Sequence, residues 1–408
     1  MRANRILVIG GAENVEVREA IARRGYEIVA INFPEAIAVL EPHPSIVHAE
    51  GVDFSHAVRL VRRICEMHRQ WNFAAIVAVC EFGRLPGALA AAQLGLPGAT
   101  VKTVQNTKDK VRMRTILAQA GLGQVQFRKC DALAEAAEFL LAIGKPMILK
   151  PILGTGSDGV SRVASAPELH AAWEKCATAR SFGGVLCEEF IDGEVVSVEG
   201  YSVGGTFVPA AITERVLNEQ GQEIGHHQPA AISDALRDEV FAFTGKTVTA
   251  LGITDGISHT EVKLSPDGPV FIETHTRNGG CRIPLLTRLS TGIDLADAQV
   301  AFALGEEVPL REAQRGVAAA VRFLPATRGI VTYVDLPEID EEAGVIEAGA
   351  YVREGDVLSG RSSLLDRMAY VVTTARRANE ACAKADAFLN AIEIVVEDVE
   401  EQLERTIA

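Results

Sequence analysis

His259-Thr260-Glu261-Val262-Lys263 and Phe271-Ile272-Glu273-Thr274-His275-Thr276-Arg277-Asn278-Gly279-Gly280 decide how this chain is read. Each glutamate lies on a short alternating run, and Ser265-Pro266-Asp267-Gly268-Pro269 joins the two runs. The pattern predicts a β-hairpin with a longer loop. Antiparallel neighbours can present both carboxylates on one face, close enough to share divalent metal. Mg²⁺ favours one or two carboxylates plus substrate phosphates over an all-protein cage. Glu261 and Glu273 therefore point to metal-bound nucleotide and phosphoryl transfer.

Upstream, residues 5–10 read as a buried strand ending in Gly10-Gly11, followed by a helix to about Arg24. Strands at 26–32 and 73–79 alternate with helices at 55–70 and 84–94. That alternation predicts right-handed βαβ units and a parallel sheet. Gly10-Gly11-Ala12-Glu13 lacks the G-x-G-x-x-G spacing of a dinucleotide site, so it reads as a strand-to-helix turn. A nicotinamide-dependent oxidoreductase is disfavoured on that ground. Residues 108–120 read as a helix, and a small α+β unit follows with strands at 124–130, 146–150, 159–164 and 184–190. Two long strands turn at Gly204-Gly205, and 217–232 reads as a polar loop. A helix at 233–251 precedes the glutamate hairpin, 283–303 is mostly helical, and 316–396 returns to short strands with one helix.

Several residues on this frame suit phosphate chemistry. Gly154-Thr155-Gly156-Ser157-Asp158-Gly159 follows a strand ending in Lys150-Pro151. Glycines let backbone N–H groups approach phosphate oxygens, and Ser157 adds a hydroxyl. No GK[ST] follows, so this is not a Walker A loop. A lysine at ~4 Å from a phosphate contributes roughly 4 kcal/mol at an effective dielectric near 20, and Lys150 and Lys110 are the candidates. Glu188-Glu189-Phe190-Ile191-Asp192-Gly193-Glu194 reads as a strand-turn-strand or a hinge whose backbone reads an adenine edge, with a carboxylate beyond it for ribose. Glu81, after a parallel strand, lies where such sheets bind ligands.

These pieces, in this order, resemble the ATP-grasp superfamily. The branch that looks closest is the L-amino acid ligase (dipeptide synthetase) group of carboxylate–amine ligases. Gly279-Gly280-Cys281-Arg282-Ile283-Pro284, Glu223-Ile224-Gly225-His226-His227-Gln228-Pro229-Ala230, and the tail stretches 317–323 and 360–367 are similar to that group. The resemblance implies an α/β and α+β fold: a Rossmann-like lobe over 1–100, a lid subdomain over 101–190, a large ATP-grasp subdomain over 191–310 and a C-terminal α+β domain over 311–408.

It also implies roles. ATP is held by Lys110, Lys150, Gly154, Thr155, Gly156 and Ser157 at the phosphates. Glu188, or the backbone of Glu189 and Ile191, serves adenine, and Glu194 serves ribose. Glu261 and Glu273 hold Mg²⁺, with Mn²⁺ as a substitute. Arg277 stabilises an acyl phosphate formed from a carboxylic acid, which an amine then attacks. Glu81, Glu223, His226, Arg277, Gly280 and Arg282 are candidates for substrate. Glu223, His226 or His259 would assist amine deprotonation or fix the amino group, and a histidine near its ordinary pKa suits this. One departure stands out: His275 occupies the place where the superfamily often has asparagine, and imidazole is a poorer Mg²⁺ ligand than an oxygen donor. Within the superfamily, a biotin-carboxylase-like or purine-pathway enzyme is the alternative. A non-catalytic nucleotide-binding protein is disfavoured because both glutamates, both lysines and Arg277 are present.

Composition sets the outer limits. The 408 residues are 48% hydrophobic and 23% charged, with a formal net charge of −14. Such acidity gives no general attraction to nucleic acid or anionic membrane. Seven scattered cysteines without CxxC spacing read as reduced thiols. With no signal-like start and no apolar run of ~18 residues, the expectation is a cytoplasmic enzyme of small-molecule acid and amine substrates, compatible with a homodimer.

Overall fold

The structure is a computed structural model, and it describes residues 4–179, 182–314, 316–359 and 367–398. The chain divides into two compact units. The first comprises Met1–Pro209, Ala235–Asn278 and Leu295–Arg311; the second comprises Ala210–Asp234, Gly279–Asp294 and Glu312–Ala408.

The first unit opens with β1 (Arg5–Ile9), α1 (Val15–Arg23), β2 (Glu27–Asn32), α2 (Pro34–Ala38), β3 (Ile46–Gly51), α3 (Ala57–Trp71), β4 (Phe73–Ala78) and α4 (Glu81–Leu94). The strands form a sheet in the order β3-β2-β1-β4, and every pairing is parallel. β1 and β2 are almost wholly buried because helices cover both faces of the sheet. One face packs on α1 through Val17, Ala20 and Ile21, the other on α3 through Leu60, Ile64 and Met67. Gly10 is left-handed at φ 69°, and a Cβ there would meet the Cys80 side chain at 2.5 Å, so the turn demands glycine. The sequence reading did not find α2 or β3; both are short and only partly buried.

Helices α5 (Val101–Asn106) and α6 (Lys110–Gln119) follow. Asp109 caps α6 by accepting from Arg112 N at 3.0 Å, which fixes where Lys110 begins the helix. Next come β5 (Phe127–Cys130), α7 (Leu133–Ile143), β6 (Met147–Pro151), β7 (Ser161–Val163), α8 (Ala166–Ala177) and β8 (Val185–Glu189). These strands make an antiparallel sheet in the order β5-β8-β6-β7.

β9 (Glu194–Val203) and β10 (Thr206–Leu217) turn at Gly204-Gly205 as expected. β11 (Glu223–Gln228) lies where the sequence predicted a polar loop. Its residues show no apolar alternation; pairing with neighbours on both edges supplies the strand. α9 (Asp234–Ala250) leads to β12 (Gly256–Ser265) and β13 (Gly268–His275). Only Pro266 and Asp267 separate these strands, so the hairpin is tighter than the longer loop the sequence suggested. α10 (Ile283–Thr291) and α11 (Leu295–Leu304) are two helices broken at the left-handed Gly292. In the first unit β13, β12 and β9 are consecutive neighbours, and α11 adds Ala296, Val300 and Ala303 to the core beneath β1.

The second unit contains β14 (Ala318–Pro325), β15 (Arg328–Asp335), β16 (Val345–Ala350), β17 (Val357–Ser359), β18 (Arg367–Ala375), α12 (Ala378–Ala391) and β19 (Glu393–Glu397). β11, β14, β18 and β16 are antiparallel neighbours, and β17-β15-β19 form a small sheet. α10 packs Leu285 and Leu286 on Val321, Phe323 and Val372. The matched stretch Gly360 to Asp366 lies outside the described residues. No helix among the described residues is long and apolar enough to cross a membrane.

Candidate nucleotide and metal site

The site in the first unit is built where β12 and β13 meet α6, β6 and β8. Glu261 and Glu273 are direct cross-strand partners, with a register shift just after Glu261. Glu273 is held on several sides: Lys110 Nζ lies 2.9 Å from Oε2 and His275 Nε2 lies 3.3 Å from Oε1. Burial opposes ionisation of Glu273, but Lys110, His275 and Lys150 outweigh it and hold its carboxyl well below the usual range. Oε2 is buried and makes no hydrogen bond; its meeting with Lys110 is an ion pair outside hydrogen-bond geometry. That oxygen and the half-buried Glu261 across from it form a hard-oxygen donor pair, which suits Mg²⁺.

His275 does not turn away. Its Nδ1 lies 3.0 Å from Glu81 Oε2 and its Nε2 faces Glu273, so the ring bridges two carboxylates. Both nitrogens are engaged, and the residue orients Glu273 rather than offering a donor to a cation.

Lys110 Nζ also donates to Gly154 O at 2.6 Å, tying the first helical residue of α6 to the glycine loop. In that loop Gly156 and Ser157 take positive φ, 64° and 59°, and both are exposed. The two residues make a tight exposed turn, and the backbone N–H groups of such turns can bind anions. Lys150, at the end of β6, is 2.8 Å from Glu188 Oε2. Glu188 also takes a bidentate pair from Arg114, at 2.7 and 2.9 Å. Burial pushes the Glu188 carboxyl up, but Arg114 and Lys150 bring it down to about 2. Its carboxylate is thus committed to positioning two cations, and beyond it Glu189 N already donates to Gln126 O at 2.9 Å. Ile191 O accepts from Lys263 Nζ at 2.5 Å, and Glu194 is exposed at the start of β9.

Glu81 is the first residue of α4, just past the carboxyl end of β4. Arg84 Nη1 donates to it at 2.9 Å and Arg277 Nε at 3.1 Å. Burial opposes ionisation, yet Arg84, His275 and Arg277 hold the Glu81 carboxyl well below the usual range. Arg84 further donates to Thr107 Oγ1 and Thr276 Oγ1, at 2.6 and 2.5 Å. His259, also in this unit, has Nδ1 3.0 Å from both oxygens of Glu199. Burial lowers its pKa, but Glu199 and Glu261 raise it beyond the ordinary imidazole value.

Glu223, His226, Gly280 and Arg282 belong to the second unit. Gly280 O accepts from Ile283 N at 3.0 Å, opening α10. Arg282 pairs with Glu347 and donates to Tyr370 Oη at 2.6 Å. Burial works against protonation of His226, but Cys281 and Glu223 raise its pKa to about 9. Neither His226 nor His259 therefore keeps the ordinary pKa that the sequence reading assumed.

The sequence reading missed Arg84, Arg114 and Glu199. Two carried a signal: Arg84 is three residues after Glu81 and Arg114 four after Lys110, spacings that share a helix face. Glu199 carried none, because only the pairing of β9 with β12 sets it opposite His259.

Residues 143–284 match an ATP-grasp domain, and residues 322–397 match the L-amino acid ligase C-terminal domain 2. An uncharacterised protein of Sinorhizobium fredii is 26% identical over 84% of this chain and 76% of its own length. An alanine–anticapsin ligase of Bacillus amyloliquefaciens is 25% identical over 66% of this chain, and that match spans 63% of the relative's length. The L-amino acid ligase structure from Bacillus licheniformis superposes with a TM-score of 0.81 at 23% identity, covering 98% of this chain and all of that one, and so shares the fold. An ATP-grasp domain is thus followed by a match to an L-amino acid ligase C-terminal domain, and the chain belongs to the ATP-grasp ligases.

Proposed function

We propose that this protein is an ATP- and Mg²⁺-dependent ligase that joins a carboxylic acid, an amino acid or close relative, to an amine through an acyl phosphate. The observation that carries the reading is the opposed pair Glu261 and Glu273, with two buried lysines, Lys110 and Lys150, fixed beside it by carboxylates.

When bound, MgATP supplies the phosphoryl group and Mg²⁺ offsets charge on its oxygens. The chain's own contribution is positioning and charge. Glu261 and Glu273 would hold the metal. Lys110 and Lys150 would face the phosphates, their ammonium groups prearranged by Glu273 and Glu188. The loop from Gly154 to Gly159 would cover them, moving with Lys110 through the Gly154 carbonyl. Arg277, oriented by Glu81, would meet charge on the carboxylate as it is phosphorylated. Glu223 sits at a pKa of about 2, lowered by His226 and Arg367 against the effect of burial. Such a carboxylate is suited to anchoring an ammonium group rather than taking its proton. His226, protonated at neutral pH, likewise serves as a fixed charge.

ADP and phosphate release, measured across a panel of acids and amines, tests this. Release that needs both an acid and an amine supports the proposal. Bicarbonate-dependent turnover with no amine would replace it with a carboxylase reading.

A further inference from the structure

The second unit holds a four-residue cluster around Cys281. Cys281 and Arg282 both take left-handed backbone conformations, at φ 56° and 64°. Non-glycine residues rarely do this in succession, and such strain persists where surrounding contacts over-determine it. The turn sets Cys281 Sγ against side chains from two strands. Arg367 Nη1, from β18, donates to Sγ at 3.1 Å, and its Nη2 donates to Glu223 Oε1 at 3.0 Å. His226 Nε2, from β11, is 3.1 Å from that same oxygen, and Sγ is 3.7 Å from it. The sulfur, the imidazole nitrogen and the carboxylate oxygen all lie within 4.8 Å of one another.

A guanidinium and an imidazolium beside one sulfur favour the thiolate. Burial pushes the Cys281 thiol up, but His226 and Arg367 bring it below its usual value. In Cys65, Cys80, Cys176 and Cys382, by contrast, burial raises the thiol. Cys130 is also held below its usual value, by the neighbouring Cys187, but both of these residues are buried. Among the described residues, Arg215, Arg282, Glu347, Tyr351 and Tyr370 are further charged and titratable groups around Cys281, its partners and its neighbour in sequence. Cysteine, histidine and glutamate are also zinc ligands. Here, however, Arg367 already donates to two of the three ligand atoms and places a cation where the metal would sit.

We propose that Cys281 is a reactive thiolate and the protein's modification site for small hydroperoxides. The sulfur attacks one peroxide oxygen; the S–O bond forms as the O–O bond breaks. Cysteine is oxidised by two electrons to sulfenic acid and the peroxide is reduced. The departing hydroxide or alkoxide takes the proton of the His226 imidazolium and leaves as water or alcohol. A second thiol condenses with the sulfenic acid to a mixed disulfide with release of water, and a third thiol, by exchange, frees the cysteine and leaves as the disulfide of the two thiols.

Competitive alkylation of the full chain with iodoacetamide, resolved by peptide mass spectrometry over a pH series, tests this without any variant. Cys281 is expected to react at least ~10-fold faster than any other cysteine at neutral pH, and its rate to level off below the ~8.5 of a free thiol. Hydrogen peroxide followed by a sulfenic-acid trap should label the same residue. Arg367→Gln and His226→Gln should each slow the reaction, and Arg367→Lys should keep most of it. Overturning results are a Cys281 rate no greater than its neighbours', a rate unaffected by both variants, or stoichiometric Zn²⁺ that protects Cys281 and disappears in Cys281→Ser.

Discussion

Glu261 on β12 and Glu273 on β13 stand directly opposite each other in antiparallel register. Glu273 is surrounded by Lys110, His275 and, more distantly, Lys150, whereas no hydrogen bond or ion pair holds the Glu261 carboxylate among the described residues. Like charges directly across a sheet destabilise it by about 0.2–1 kcal/mol. Lys110 offsets part of that repulsion at Glu273, and the role proposed for the pair is to hold Mg²⁺.

Glu261→Gln should then separate stability from activity. The urea midpoint should rise, by about 0.5 kcal/mol of unfolding free energy, while ATP turnover falls by ~10²-fold or more. A variant that loses stability and keeps turnover would remove Glu261 from the metal site.

Arg277 is oriented by Glu81 and by the Asn278 carbonyl, which its Nη1 meets at 2.8 Å. Arg277→Ala should lower kcat/KM by at least ~10²-fold, about 2.7 kcal/mol of transition-state stabilisation. Steady-state kinetics check this, and a variant retaining most activity would take Arg277 out of the chemistry.

Glu188 carries a pH signature. Its folded pKa of about 2 lies below the ordinary carboxyl value of 4.5, so its contribution is present above 4.5 and is lost as pH falls through 2. Acid unfolding followed by circular dichroism should show this loss in the native chain. Glu188→Gln should abolish that component and cost ~3–5 kcal/mol at neutral pH, because Arg114 and Lys150 are left buried and uncompensated. Unchanged stability at neutral pH would contradict the assignment.

His226 works in the opposite direction. Its pKa is raised from 6.5 to about 9, so its contribution is complete below 6.5 and fades as pH rises through 9. An NMR titration should place the His226 midpoint near 9, and Cys281→Ser should lower it. A midpoint at the ordinary imidazole value would show that Cys281 and Glu223 do not hold the charge.

Much of this was legible in sequence because it is local. The alternating run around Glu261, the helix read over 108–120 and found from Lys110 to Gln119, and the lysine ahead of Gly154 are all set by neighbours in the chain. β11 was not legible, since its strand character comes from two partners far away in sequence. The same holds for the double role of His275: sequence marked it as the odd residue in the metal motif, but only the meeting of β13 with α4 shows it bridging Glu81 and Glu273. Glu188 read as a group free to meet adenine, and the buried Arg114 and Lys150 beside it give that carboxylate a different task.

The most direct test of the central claim is ADP release by the purified protein with MgATP, an acid and an amine, each omitted in turn. The account predicts turnover only when all are present, with one amide formed per ADP, and loss of turnover in Glu273→Gln. ADP formation that ignores the amine, or amide formation without ATP, would contradict it.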